Sequence, residues 1–372
     1  MTGTLGFDDK IRRFNVDSIK NATEVESIML HAQRANKDTG FVTTTRITHA
    51  TPASLYAHSA DRDWECFKHI KNDNVNGSVR EIAWQLMNQE PGNMTKVIMG
   101  GGWKTLVPNP NESSFRGDYQ DNYEYNCYTE SRDFVEEFKN QSGKNQVVMN
   151  LTELNQIDAA NTDRLLGLFS ETHCIFDHER RNKNVAIVQD SPSLTDMTKK
   201  AIEILSKNKE NGYFLMVEGG RIDHAHHDSW VNAALDETVA FDEAIEAAFG
   251  MTSREDTLII VTADHGHTMT MAGYPKRGAD VRGYVELYDD SNENASDGLP
   301  YSILSYANGE GYDEHNYYEE NGNLTRKDLR NMDMTDFYFM SPSLIMRSYE
   351  SHSGADVGIF ATGMVLNNQV KV

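Results

Sequence analysis

Apolar positions along the first three quarters of the chain switch repeatedly between helical and strand spacing. Thr23-Glu24-Val25-Glu26 has the form of a capping box, and Val25, Ile28, Ala32 and Ala35 follow at helical spacing until Gly40. Phe41–Thr45 reads as a strand. Ser78–Glu81 opens a second helix with Ile82, Leu86 and Met87 on its apolar side, and Lys96–Met99 reads as a buried strand ending in Gly100, Gly101 and Gly102. Leu194, Met197, Ala201 and Leu205 mark a further helix, Tyr213–Val217 a strand, Val231, Leu235, Phe241 and Ile245 a long helix, and Thr257–Thr262 another strand. This alternation predicts an α/β protein with a mostly parallel central sheet and helices on both faces. From about Gly273 to Tyr349 the pattern dissolves into Gly, Asn, Asp and Tyr with short apolar runs, and Val357–Ala361 restores a strand. The organisation expected is a main α/β domain over 1–272, an inserted region over 273–349, and a return strand of the main domain within 350–372.

With 372 residues and 38% hydrophobic composition the chain is long and apolar enough for a large core. No apolar run approaches the ~20 residues of a membrane span, and Met1–Asn15 holds no apolar stretch of the signal-peptide kind. Fifty-seven acidic against 35 basic residues give a formal charge of −22, a balance that argues against a nucleic-acid partner. Cys66, Cys127 and Cys174 form no CxxC motif, and being three they cannot all pair within the chain. Eight N-x-[ST] sequons, at Asn21, Asn76, Asn93, Asn111, Asn140, Asn150, Asn294 and Asn323, lean weakly toward a secreted protein.

Chemistry concentrates after the predicted strands. Glu218-Gly-Gly-Arg-Ile-Asp223-His224-Ala-His226-His227 follows one strand and precedes a helix that Asp228 or Ser229 could cap. Ligands gather at the carboxyl ends of parallel strands. One helical turn brings Asp223 and His227 onto one face, a pairing of oxygen and nitrogen donors suited to zinc. Asp264-His265-Gly266-His267 ends the next strand, and the two clusters together suggest two metals sharing a site. Upstream, Thr43–Pro52 offers hydroxyl and imidazole groups, and Arg62 stands between Asp61 and Asp63, where a surface ion pair is the plainer reading. His352 precedes the final strand, a place where a lone histidine is usually structural.

Four blocks in order, TTTRITHATPASLYAHSADRDW, FLMVEGGRIDHAHH, IIVTADHGHTMTMAGYP and SHSGADVGIFATG, resemble the signature blocks of the alkaline phosphatases, the animal branch in particular. The likeness runs from about residue 3 to the C-terminus and is loose over Asp280–Tyr349, where the inserted region would correspond to a crown-like subdomain. The resemblance implies phosphate monoester hydrolysis at alkaline pH through a phosphoserine, at two zinc ions and one magnesium. It implies Asp223, His227 and His352 at the first zinc, Asp264 and His265 at the second, and Thr51 and Glu218 at magnesium. His49 and His267 would stand behind the ligands, and Arg62 would grip the substrate phosphate. It further implies a glycosylated, lipid-anchored homodimer at the cell surface.

The departures are equally specific. Gly3-Thr4-Leu5-Gly6 resembles the segment downstream of the family's Asp-Ser-Ala block, so the nucleophilic serine and an aspartate shared by zinc and magnesium are expected outside these residues. The family's first strand, signal peptide, C-terminal helix and anchor signal likewise have no counterpart, and two strands of the sheet are expected to face a gap. At the family's calcium site Glu153 is kept while Ser170 and Ser191 stand where acids are expected, so calcium is only weakly implied. Asp17 and Val79 occupy roughly the places of a vertebrate disulfide. The leading expectation is a truncated phosphomonoesterase. The alternative is a catalytically dead zinc- or phosphate-binding pseudophosphatase, or a dimer partner of an intact paralogue. A metal hydrolase of sulfate esters or phosphodiesters is a third reading, which Arg62 and Thr51 disfavour.

Overall fold

The computed structural model describes residues 3–72, 79–108, 127–182, 188, 190–285, 295–318 and 322–363. Sequons at Asn76, Asn111 and Asn294, and the start of the helix expected at Ser78, lie outside them. Two compact units divide the chain: residues 1–220 with 240–251, and residues 221–239 with 252–372. The stretch 273–349 falls within the second.

The first unit is built on a five-stranded sheet in the order β3-β4-β2-β1-β5, with β1 Asp38–Arg46, β2 Val97–Gly101, β3 Asn145–Val148, β4 Arg164–Leu168 and β5 Tyr213–Glu218. Every pairing in it is parallel. Central parallel strands are covered on both faces, which is why β2 and β4 carry short apolar runs rather than an alternating pattern. Successive residues divide between two cores. Phe41, Ile98 and Leu166 join Met29, Leu86, Phe134 and Phe138 from helices Ile28–Arg34, Ile82–Asn88 and Phe134–Asn140. Val42, Val97, Met99 and Leu165 join Leu194, Met197, Ala201 and Leu205 from helix Leu194–Leu205, together with Ala244. Helices thus cover both faces, as expected.

Local details correct the sequence reading in two places and add to it in two. The first long helix begins at Ile28, capped by Ser27 through a bond from the Leu30 amide. Thr23–Val25 is instead held extended, the Val25 amide bonding Gly6 and the Asp8 amide bonding Thr23, so a capping-box pattern lost to a competing backbone pairing. Helix Val231–Met251 has Trp230 at its N-cap with no side-chain bond, so neither Asp228 nor Ser229 caps it, and Ser229 takes a positive φ of 59°. Cys66 and Cys127 form a disulfide, leaving Cys174 as a buried free thiol. Finally β3 and β4, which periodicity did not reveal, make up one side of the sheet.

In the second unit, β6 Ile259–Val261 pairs antiparallel with β14 Phe360–Thr362, and β7 Gly266–His267 pairs antiparallel with β13 His352–Ser353. A three-stranded sheet sets β9 Leu304–Gly309 between β8 Met269–Met271 and β12 Ser343–Met346, and β10 Asn316–Tyr318 with β11 Leu324–Arg326 forms a hairpin. Among the described residues no helix is long and apolar enough to cross a membrane.

Candidate metal centre

Short elements assemble a carboxylate–imidazole cluster in the second unit. Helix Arg221–His227 presents Asp223 and His227 one turn apart. The two-residue ladder of β7 and β13 sets His267 directly across from His352. Asp264 and His265 come three and four residues after the end of β6. Around Asp223 Oδ1 stand four imidazole Nε2 atoms, at 2.9 Å (His267), 3.1 Å (His352), 3.5 Å (His227) and 3.7 Å (His265). His352 Nε2 lies 2.9 Å from His227 Nε2, the His265 ring stacks on His352 at 3.7 Å, and Asp264 Oδ2 lies 3.2 Å from His265 Nε2.

These separations can be tested against zinc. Bonds of about 2.0–2.2 Å in a tetrahedron place neighbouring ligand atoms about 3.3–3.6 Å apart. Among Asp223, His227 and His352 the 3.5 Å separation lies on that edge while those of 3.1 and 2.9 Å fall short of it, and two imidazole nitrogens in contact need a shared proton or a cation between them. The donor set fits zinc.

His267 plays a different part. Its Nδ1 donates to Glu350 Oε2 at 2.6 Å and its Nε2 to Asp223 Oδ1 at 2.9 Å. Burial alone would lower its pKa, but the two carboxylates hold it up at about 9, so both ring nitrogens act as donors here. Burial would likewise raise Asp223, yet the bonds from His267 and His352 and the charge of His227 keep it well below the usual carboxylate range. Glu350, fully buried, also accepts from the Thr268 amide and hydroxyl at 2.6 Å each, and its carbonyl accepts from His227 Nδ1 at 2.6 Å. A carboxylate behind an imidazole fixes its orientation and tautomer. Burial lowers His226 to about 4, and its Nδ1 meets the Tyr306 hydroxyl at 2.7 Å. His265 is lowered by burial, with Asp264 opposing.

In the first unit, Glu218 ends β5 opposite Thr43 of β1. Its Oε2 accepts from Thr43 Oγ1 at 2.5 Å and from Thr45 Oγ1 at 3.3 Å, an all-oxygen setting suited to a hard cation such as magnesium. Thr51 lies in the short helix Ala50–Ala53 that follows β1, with His49 at its N-cap. The chain leaves β5 through Gly219-Gly220 because a Cβ on Gly220 would come within 2.3 Å of Thr45 Cγ2. Arg62 Nη2 lies 3.4 Å from His49 Nε2. At the weakly implied calcium position Glu153 Oε2 is taken by the Met149 amide, and neighbouring Asp190 by Thr152.

Sequence reasoning missed Glu350, Thr43 and Thr45 as partners of these groups. Thr43 and Thr45 share one face of a strand by their spacing, a hint in the chain itself, whereas Glu350, two residues before His352, carries no sequence sign of its burial.

These features define an α/β protein with a carboxylate–imidazole cluster of metal-ligand type. The family model for alkaline phosphatase matches residues 1–370, and the chain belongs to that family. It is 36% identical over 371 residues to the tissue-nonspecific alkaline phosphatase isozyme of Rattus norvegicus, covering 97% of this chain and 65% of the relative. It is 36% identical over 378 residues to the membrane-bound alkaline phosphatase of Bombyx mori, covering 97% of this chain and 62% of that protein. The chain therefore spans less than two thirds of the length of these curated relatives. Alkaline phosphatase from the Antarctic bacterium TAB5 shares the fold, with a TM-score of 0.56 at 21% identity over 97% of this chain and 72% of that one.

Proposed function

We propose that this chain carries the metal-binding and phosphate-binding residues of a phosphomonoesterase working at alkaline pH through a phosphoserine intermediate. Asp223, His227 and His352 hold one zinc, Asp264 and His265 contribute to a second, and Glu218 with Thr51 contributes to a magnesium site. The observation that carries this reading is the convergence of imidazole nitrogens on Asp223 Oδ1 within 2.9–3.7 Å. Metal bound by these residues would supply Lewis-acid charge against the negative charge that develops on the transferring phosphoryl group. The chain's own groups do the rest. Arg62 presents a planar fork of donors to the phosphate oxygens. His267, held by Glu350, keeps Asp223 ionised and oriented, and Thr43 and Thr45 orient Glu218. The serine nucleophile of this mechanism is expected outside these residues, and calcium is left out of the proposal because Ser170 and Ser191 stand where its acids are expected.

A cell-surface setting, with glycosylation and lipid anchoring as in the family resemblance, accords with the Cys66–Cys127 disulfide and with exposed sequon residues such as Asn21 and Asn140. Homodimerisation rests on the resemblance alone, and light scattering on the purified protein tests it. Function is tested by assaying p-nitrophenyl phosphate hydrolysis at alkaline pH with zinc and magnesium, before and after chelation. Chelator-sensitive turnover by a form of the protein that includes the serine block supports the proposal. Zinc uptake without turnover in every form would overturn it in favour of a binding role.

A further inference from the structure

Glu65 lies in the first unit, in the same turn as Arg62, and no role for it follows from the motif reading. It is 2% exposed and faces Arg46, the last residue of β1, and Thr48 in the turn that follows. Its Oε1 accepts from Arg46 Nη2 at 2.6 Å and its Oε2 from Arg46 Nε at 2.9 Å, a bidentate pair with both side chains nearly sealed from water. Oε2 also accepts from Thr48 Oγ1 at 2.6 Å. The far side of the Arg46 guanidinium meets His173 Nε2 at 2.5 Å. His49 packs edge-on against His173 with ring centres 5.2 Å apart, and reaches Arg62 at 3.4 Å. Glu65 is itself pinned: its carbonyl accepts from the Ala83 amide at 3.0 Å, Trp64 accepts from the Ile82 amide at 3.0 Å, and Cys66 is tied to Cys127.

A buried ion pair often adds little to stability compared with apolar packing, and is better understood by what it orients. Here one carboxylate fastens two backbone segments, Arg46–His49 and Asp61–Cys66, the second bearing Arg62 and the first bearing His49, which Arg62 meets. We propose that Glu65 is a positioning residue for Arg62, a clamp through Arg46 and Thr48 that fixes the guanidinium against His49. This rests on the reading of Arg62 as the phosphate-gripping group. Arginine forks lose much of their advantage when misplaced by an ångström, so releasing the clamp weakens phosphate binding even though Glu65 touches no phosphate.

The test measures the dissociation constant of inorganic phosphate by calorimetry on the full chain with zinc and magnesium. The proteins compared are wild type, Glu65→Gln, Arg62→Ala and the double variant, with amide hydrogen exchange recorded on each. Glu65→Gln is expected to weaken phosphate about tenfold. It should add nothing in the Arg62→Ala background, and exchange should quicken at residues 47–49 and 61–65. Losses that multiply in the double variant, or a Glu65→Gln protein that binds like wild type, overturn the clamp. If Arg62→Ala binds phosphate as wild type does, or no form binds it, the phosphate-site reading falls. The clamp is then decided by exchange: unchanged protection at both segments overturns it. Should Glu65→Gln fail to fold, the paired Arg46→Met/Glu65→Leu variant, which strands no charge, carries the same measurements.

Discussion

Glu350 offers the sharpest quantitative prediction, because its partners and its burial are both explicit. In the metal-free protein His267 has its pKa raised from an ordinary value of about 6.5 to about 9 by Asp223 and Glu350. A shift of that size corresponds to roughly 3 kcal/mol of folded-state stabilisation. A raised folded pKa means this contribution is fully present below pH 6.5, falls as pH rises toward 9, and is gone above it. Replacing Glu350 by Gln removes one of the two carboxylates and weakens a bond to an ionised group, worth about 1.5–3 kcal/mol. The loss should therefore be about 3 kcal/mol at pH 6 and shrink to about 1 kcal/mol at pH 10, where the His267 ring is neutral in both proteins. Urea denaturation of wild type and Glu350→Gln at the two pH values measures this. Histidine NMR should also show the His267 titration moving back toward the ordinary range. A difference that is equal at both pH values, or larger at pH 10, would refute the ion-pair account of this residue.

Other expectations follow from single contacts. Thr43→Val removes the 2.5 Å bond to Glu218 and should cost about 1.5–3 kcal/mol, with magnesium affinity falling in the same variant by calorimetry. Gly220→Ala forces a methyl to within 2.3 Å of Thr45 Cγ2 and should destabilise by about 1–3 kcal/mol, read as a lowered melting temperature. The Cys66–Cys127 bond closes a sequence separation of 61 residues, for which chain entropy gives roughly 4 kcal/mol. Reduction, or the Cys66→Ala/Cys127→Ala variant, should lower the urea midpoint accordingly, and an unchanged midpoint would count against an intact bond in the native protein.

Legibility in the sequence followed the strength of the local signal. Strands at Phe41–Thr45 and Tyr213–Val217 were readable because both are rich in aromatic, β-branched or apolar residues, and helix Leu194–Leu205 because its apolar stripe is regular. The site residues were readable as donors clustered after strands, but their partners were not. Glu350 looks like any surface acid until β13 folds back on β7 and buries it. The capping box at Thr23 misled because Ser27, four residues on, offers a competing cap while Thr23 and Val25 enter backbone pairing with Gly6 and Asp8. The Cys66–Cys127 pairing could not be inferred from three unpatterned cysteines, since proximity in space was the missing information.

The most direct test of the central claim is zinc content. Purified protein is dialysed against limiting zinc and measured by elemental analysis, for wild type and for the triple variant Asp223→Ala/His227→Ala/His352→Ala. Wild type is expected to retain zinc after dialysis, and the triple variant to lose the ion held by those three residues while keeping its fold by circular dichroism. Equal zinc in the two proteins would contradict it.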